Sequence, residues 1–476
     1  MSMSAANSAR GRDLTQGGIA KNLVFFAIPM LLGSLVHVAY SLINAAWVGR
    51  GLGADAMAAL TVSFPVFFVL NAVGQGLSLA SNVLVSQSFG AKDFDRLRRV
   101  VQNSMVLTAV AGAVCLFIGY LSAGALVRVM GTPATVAPLA ISYLRWFIWT
   151  TPLMFGTFFL ASVMRGAGDS KTPLYFQAGS LLITAVLDPL LIFGWLGFPK
   201  LGLNGTALAT IISQAAAITA LAWHLRRVRH IAAPDWKRVQ PDWAMSLLTL
   251  RIGMPSMVQQ ALVSLGIVVV VSLVNRFGAH SAAAYGIAMR IDLLAFMPSM
   301  AIGMAVSTMS GQNIGAGLHD RVRGVFRWGV LLAWMLTLPA AAMSVGVPAW
   351  LMGLFTRDLD VVATGAGYLR VCGGGYLLIS IMFVANGVVN GSGRTVATTV
   401  FTLVSFWLIR IPLALALSGA MNQVEGIWFA ILLSYGVGAA LSTGYYLTGR
   451  WRHPVTGRNQ LQPVPEPGPV DPQVEV

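Results

Sequence analysis

The chain has 476 residues, of which 56% are hydrophobic and only 10% charged, with a mean hydropathy of +0.74. Soluble domains carry roughly 25% charged residues, so a water-soluble enzyme or binding domain is excluded and a polytopic membrane protein is expected. The formal charge of +15 would suit a nucleic-acid partner, but the placement of the basic residues along the chain excludes that reading.

Apolar runs of about twenty residues, the length that crosses a hydrocarbon core, recur twelve times. They cover residues 23–48, 56–85, 102–124, 136–162, 172–196, 204–225, 252–275, 281–310, 328–348, 361–388, 397–419 and 426–447. The first run is long and continuous with the rest, so no cleaved leader is needed. Of 31 Lys and Arg, 22 fall at the N-terminus, in the loops after the even-numbered spans or at the C-terminus. Five (Arg50, Arg128, Lys200, Arg276, Arg357) fall on the other side, and four (Arg145, Arg290, Arg370, Arg410) lie within spans. This asymmetry predicts cytoplasmic termini, and a basic surface facing anionic lipid accounts for the charge without DNA or RNA. Cys115 and Cys372 lie in apolar runs without paired spacing and read as small buried hydrophobes. The tail from Leu461, rich in Pro, Gln and Val, is expected to be disordered.

Of sixteen acidic residues, only Asp188 and Asp292 fall within spans. A charged carboxylate at bilayer depth costs several kcal/mol, so such groups face a bundle interior or a water path and often carry protons or ions. Asp188 lies in ITAVLDPLLIFGW, with Pro189 next to it. Proline lacks an N–H and clashes with the preceding turn, so a kink or local unwinding is expected beside the acid, freeing carbonyls to bind. A structural carboxylate satisfied by nearby Ser and Thr is the plainer alternative. Asp292 follows Arg290 by two residues, which does not put both on one helix face. Its partner must come from elsewhere: either a second-lobe polar site with Gln259 and Gln260, or a basic group on another helix.

The two halves repeat each other. Tyr143-Leu144-Arg145 recurs as Tyr368-Leu369-Arg370, and SQSFGAKDFDRLRRV from Ser86 as GQNIGAGLHDRVRGV from Gly311, both 225 residues on. RGAG from Arg165 and NGSG from Asn390 keep that offset, as do GADA from Gly53 and GAHS from Gly278. The expected fold is therefore an all-α polytopic membrane protein of twelve transmembrane helices in two six-helix lobes. An even number of crossings per lobe makes the repeats parallel, around an axis along the bilayer normal, with a cleft between them. The expected division is a cytoplasmic N-terminal segment (1–22), a first lobe (23–225), a basic linker (226–242), a second lobe (243–450) and a disordered tail (451–476). The linker is long enough to let one lobe rock against the other.

The paired loop signatures, the RGAGDSKTP turn, LDPLLIFG in the fifth span and the following LGLNGTALAT resemble the multidrug and toxic compound extrusion transporters, in particular their DNA-damage-inducible F type. The resemblance covers Leu14 to about Leu447. It implies alternating access and export of small amphipathic or cationic compounds driven by H⁺ or Na⁺. It also implies that Asp188 belongs to a first-lobe cation site, with Tyr143 on the fourth span, Thr206 or Thr210 on the sixth, and Thr184 where relatives carry a side-chain amide. Thr184 and Asp188, four apart, share a helix face.

Where most relatives have an Asp in the first span, this chain has Asn44. Seven residues earlier, on the same face, stands His37, the one histidine well inside a span; His224 is at the end of the sixth. An imidazole, with an ordinary pKa of about 6.5, can replace an acid as a proton carrier near neutral pH; alternatively His37 is a neutral ring bonded to a hydroxyl.

No HExxH, GxSxG, Walker A loop or Cys/His metal cluster is present. The expected protein is a monomeric secondary-active antiporter of the cytoplasmic membrane. It is not an enzyme, has no cofactor beyond the coupling ion, H⁺ before Na⁺, and exports drugs and other xenobiotics. A lipid-linked oligosaccharide flippase of the same two-lobe architecture is the alternative, which should line its cleft with Arg or Lys. A polytopic membrane enzyme is the remote one.

Overall fold

A computed structural model describes residues 11–228, 230, 231, 233 and 242–453. Most of the expected linker and tail therefore lie outside the described residues. The described chain is helical throughout, with no strand. Ten helices are long and apolar enough to cross a membrane, and two bent pairs bring the crossings to twelve.

We number the crossings in chain order. The first lobe holds α1 (Ile19–Leu52), α2 (Ala54–Gly90), α3 (Phe94–Val129), α4 (Ala137–Ile148 and Thr151–Gly166), α5 (Lys171–Phe193) and α6 (Leu203–Arg227). The second holds α7 (Trp243–Asn275), α8 (Ala279–Gly315), α9 (His319–Gly346), α10 (Leu359–Gly373 and Tyr376–Gly391), α11 (Thr395–Met421) and α12 (Glu425–Leu447). A short helix, Pro348–Gly353, fills the loop before α10.

The repeat is visible in local structure. Gly53 and Gly278, 225 apart, both take positive φ (83° and 94°) and turn the chain tightly from α1 into α2 and from α7 into α8; a side chain there would be strained. Spans four and ten, expected as continuous helices, are each broken at equivalent places, with bends of 42° and 49°. The break in α4 comes just before Pro152 and that in α10 at Gly374-Gly375, residues that do not sustain a helix interior. α11 is interrupted by a π-helical stretch, Leu403–Arg410. The unwinding expected at Pro189 does not occur. α5 runs through it and ends four residues later at Phe193, with Gly194 left-handed (φ 76°), so the lost bond is confined to the last turn.

Polar residues within the spans largely satisfy themselves on their own helices. Ser63 donates to the Ala59 carbonyl (2.8 Å) and Ser81 to that of Leu77 (2.9 Å), a pairing that hydrocarbon surroundings favour because water cannot compete.

Packing shows how the lobes meet. One core cluster, including Val48, Leu60 and Tyr143, belongs to the first lobe alone, and another, including Tyr285, Tyr368 and Trp428, to the second. Both lie in the halves of the helices away from the basic loops. At the basic end the clusters are shared. Met245 and Ile252 of α7 pack with α2, α3 and α4, while Leu14, Leu23 and Phe26 pack with α8, α9 and α10. The lobes are thus joined at the basic end.

Candidate functional site

Asp188 is fully buried in the first lobe. Its Oδ2 accepts from Asn44 Nδ2 at 2.8 Å and from the Tyr40 hydroxyl at 3.2 Å, and those two side chains approach each other at 3.4 Å. Tyr40 and Asn44 are four apart on α1, so one helix face delivers both. The other oxygen, Oδ1, is buried without a partner. A donor-rich side on Oδ2 and an open side on Oδ1 leave one place where the carboxylate can take up a proton or a small cation, and among the described residues no Lys or Arg is paired with it.

The neighbouring residues complete a polar pocket. Tyr143 on α4 is buried, edge-on to Phe67 (centroids 6.0 Å). The Thr206 and Thr210 hydroxyls of α6 sit beside the phenols of Tyr143 and Tyr40, while also donating to the Leu203 and Thr206 carbonyls (3.0 and 2.9 Å). Thr184 does not turn to the acid one turn along. It donates to Ser213 of α6 at 2.6 Å and to the Ser180 carbonyl at 2.9 Å, because Asp188 is already served from α1. His37 lies on the same stripe of α1 as Asn44, more than a third exposed and bonded to no described residue. Seven residues of helix separate it from Asn44 by about 10 Å along the axis.

Asp292 in α8 is buried too, and both its oxygens are occupied. Tyr368 donates to Oδ2, and Tyr376 to Oδ1 at 2.6 Å. Both tyrosines come from α10, one from each side of its break. Arg410 closes this region from α11: it donates to Ser434 at 2.7 Å and lies over the rings of Phe406 (3.7 Å) and Tyr435 (5.1 Å). The expected grouping of Asp292 with Gln259 and Gln260 is not found. Gln259 pairs instead with Thr402 (3.0 Å) and Thr398 (3.4 Å) on α11, and Gln260 is exposed. The tyrosines of α10 lie within bonding reach of the acid, whereas the Gln259 side chain is taken up by α11.

Tyr40, Tyr376 and Arg410 were not singled out from the sequence as site residues. Tyr368 could have been, since it repeats Tyr143. Tyr40 carried its own signal, standing one turn from Asn44 on the same face. Of the other basic residues within spans, Arg145, Arg290 and Arg370 are all exposed. Among the described residues one group could hold a metal, the exposed His280, Asp358 and Asp360, with ligand atoms within 4.8 Å. There Asp358 already caps α10 through the amides of Asp360 and Val361.

The MatE family model matches the chain twice, over residues 29–190 and 255–416. The chain is 32% identical over 430 residues to the probable multidrug resistance protein YoeA of Bacillus subtilis, covering 90% of this chain and 93% of that one. It is 24% identical over 451 residues to the FAD transporter of Shewanella oneidensis, covering 93% and 97%. Its fold superimposes on a crystal structure of a MATE protein in the straight conformation with a TM-score of 0.86 at 23% identity, over 92% of this chain and 98% of the other. With both halves matched separately at the expected spacing, and near-complete coverage by relatives, the chain belongs to the MatE family, whose members are membrane transporters and not enzymes.

Proposed function

We propose that the chain is a secondary-active antiporter of the cytoplasmic membrane that exports small amphipathic or cationic molecules in exchange for H⁺. Residues 23–225 and 243–450 are the two moving lobes, joined by the 226–242 linker, and the chain works as a monomer. The observation that carries this reading is the open Oδ1 of the fully buried Asp188. A proton arriving there leaves both bonds to Oδ2 intact. It also removes the lone buried charge whose desolvation is the main cost of the site. The relative named as a multidrug resistance protein supports a drug-like substrate.

In this cycle the cleft opens away from the basic end, Asp188 takes its proton from that side, and the lobes then close over the cleft and part at the cytoplasm. There the proton leaves and substrate binds. Tyr40 and Asn44 hold the carboxylate in place, with Tyr143, Thr206 and Thr210 as the polar wall. Thr184 ties α5 to α6 through Ser213. His37 is a second proton-exchanging group along the same stripe of α1. Asp292, with Tyr368 and Tyr376, is a polar site of the second lobe. The flippase alternative would need Arg or Lys converging on the cleft; Arg410 is already engaged by Ser434 and two rings.

Dye efflux from everted vesicles, with the H⁺ and Na⁺ gradients collapsed one at a time, tests the proposal. Efflux that stops only when the H⁺ gradient is lost is expected, and loss only with Na⁺ would reassign the ion. In a background lacking Cys115 and Cys372, single cysteines at Ala232 and Gly197 should label from opposite faces. Labelling from one face would overturn the twelve-crossing arrangement.

A further inference from the structure

The seam at the basic end is built with the symmetry of the repeat. Gln87 at the end of α2 donates its side-chain amide to the Gly391 carbonyl of α10 at 2.9 Å. Gln312 at the end of α8 donates to the Gly166 carbonyl of α4 at 2.9 Å. Both the glutamines and the acceptors are 225 apart, and each bond crosses from one lobe to the other. Both glutamines are fully buried. Beside them α2 and α8 touch backbone to backbone. A Cβ on Gly90 would lie 1.8 Å from the Gln312 carbonyl oxygen, and one on Gly315 2.1 Å from that of Gln87. Such an approach is possible only between glycines and main chain.

Across this seam runs the segment before α1. On the first lobe the Arg12 N–H donates to the Ala167 carbonyl at 3.0 Å. Two residues on, the Leu14 N–H donates to Gln312 Oε1 of the second lobe at 2.9 Å, and Asn313 Nδ2 reaches back to the Leu14 carbonyl at 3.5 Å. The Leu14 side chain is fully buried, packed in the cluster of Met309, Ile314 and Val322. Arg321 then donates to the Gly17 carbonyl at 2.6 Å. Gln312 is therefore held twice, by the other lobe and by the strap.

We propose that residues 11–17 form a latch on the cytoplasmic gate, closed over a seam locked by the reciprocal pair Gln87 and Gln312, and that the latch must lift before the lobes can part on that side. This rests on the reading that the basic end is cytoplasmic and the lobes alternate. A strap anchored to both lobes cannot keep both sets of bonds when they separate, so it adds to the stability of the closed-gate state alone. Gln87 and Gln312 are positioning residues: they touch no transported molecule and act on the equilibrium between the two states.

The test uses the full chain in liposomes, without substrate or gradient. Spin labels replace two exposed, repeat-equivalent acids at the basic end, Asp95→Cys and Asp320→Cys, in a background lacking Cys115 and Cys372. The unmodified latch should give a single short distance. Leu14→Asp, Gln312→Leu and a chain lacking residues 2–16 should each raise a longer-distance population, shifting the ratio of states by roughly tenfold, the size expected from losing one or two buried hydrogen bonds. In efflux assays the same variants should lower KM at the cytoplasmic face more than they change kcat. A merely structural segment would lower the yield of folded protein and leave the distances of the folded fraction alone. A distance distribution unchanged in all three variants overturns the proposal. Because no ion or drug is involved, that failure is separate from any failure of the proton-coupling reading.

Discussion

The buried acids of the two lobes differ in how completely they are served. Asp292 has a phenol on each oxygen, both from α10. Asp188 has two donors crowded onto one oxygen, both from α1, and nothing on the other. Tyr143 and Tyr368 occupy equivalent places in the repeat, yet the acid near each comes from a different helix of its lobe, α5 in one and α8 in the other. A fully bonded carboxylate is a strut, because any change in its charge disturbs two partners. A half-bonded one can load and unload at its free oxygen while its anchors stay fixed. The division of labour we propose follows: Asp188 couples, and Asp292 holds the second lobe together.

The largest effect expected is from Asp188→Asn. The amide keeps the shape and an acceptor for Tyr40 or Asn44 but cannot carry a proton, so gradient-driven efflux should vanish while expression and thermal stability stay close to wild type. Active transport by this variant would erase the distinction between the two acids. Asp292→Leu should act the other way: two buried hydroxyls lose their acceptor, costing about 2–4 kcal/mol of stability, seen as a lower Tm, with proton dependence retained in whatever protein folds. Tyr40→Phe removes one of the two donors to Oδ2, worth about 1 kcal/mol. It should shift the external H⁺ concentration needed for half-maximal efflux by about fivefold, and Tyr376→Phe should leave that concentration unmoved. His37→Gln is expected to have the smallest effect, a flattening of the pH profile near neutrality with efflux retained. A wild-type profile would remove His37 from the proton path.

Much of the architecture was legible because it rests on signals that survive in a single chain. Span length and apolar composition mark the crossings, and an offset of 225 residues, held at four separate places, marks the two lobes. The buried acids stood out because carboxylates within spans are rare. Breaks at Trp149-Thr150 and Gly374-Gly375, the π-helical stretch of α11 and the continuity of α5 through Pro189 were not legible, since each depends on how neighbouring helices press on the backbone. Partners were hardest. Tyr376 lies across a helix break from Tyr368, the nearest repeat signal, and nothing local marks it as the partner of an acid in α8. Thr184 was expected beside Asp188 from the resemblance and its four-residue spacing, and Gln259 beside Asp292 as a polar residue of the neighbouring span; neither makes that contact.

The central claim, that of the two buried acids Asp188 and not Asp292 exchanges the coupling proton, is tested most directly by proton release. Purified protein in weakly buffered detergent solution is titrated with a transported dye while pH is followed. Wild type and Asp292→Asn should release protons as dye binds, in proportion to the dye bound, and Asp188→Asn should bind dye with no release. Equal release from Asp188→Asn, or its loss from Asp292→Asn alone, would contradict the account.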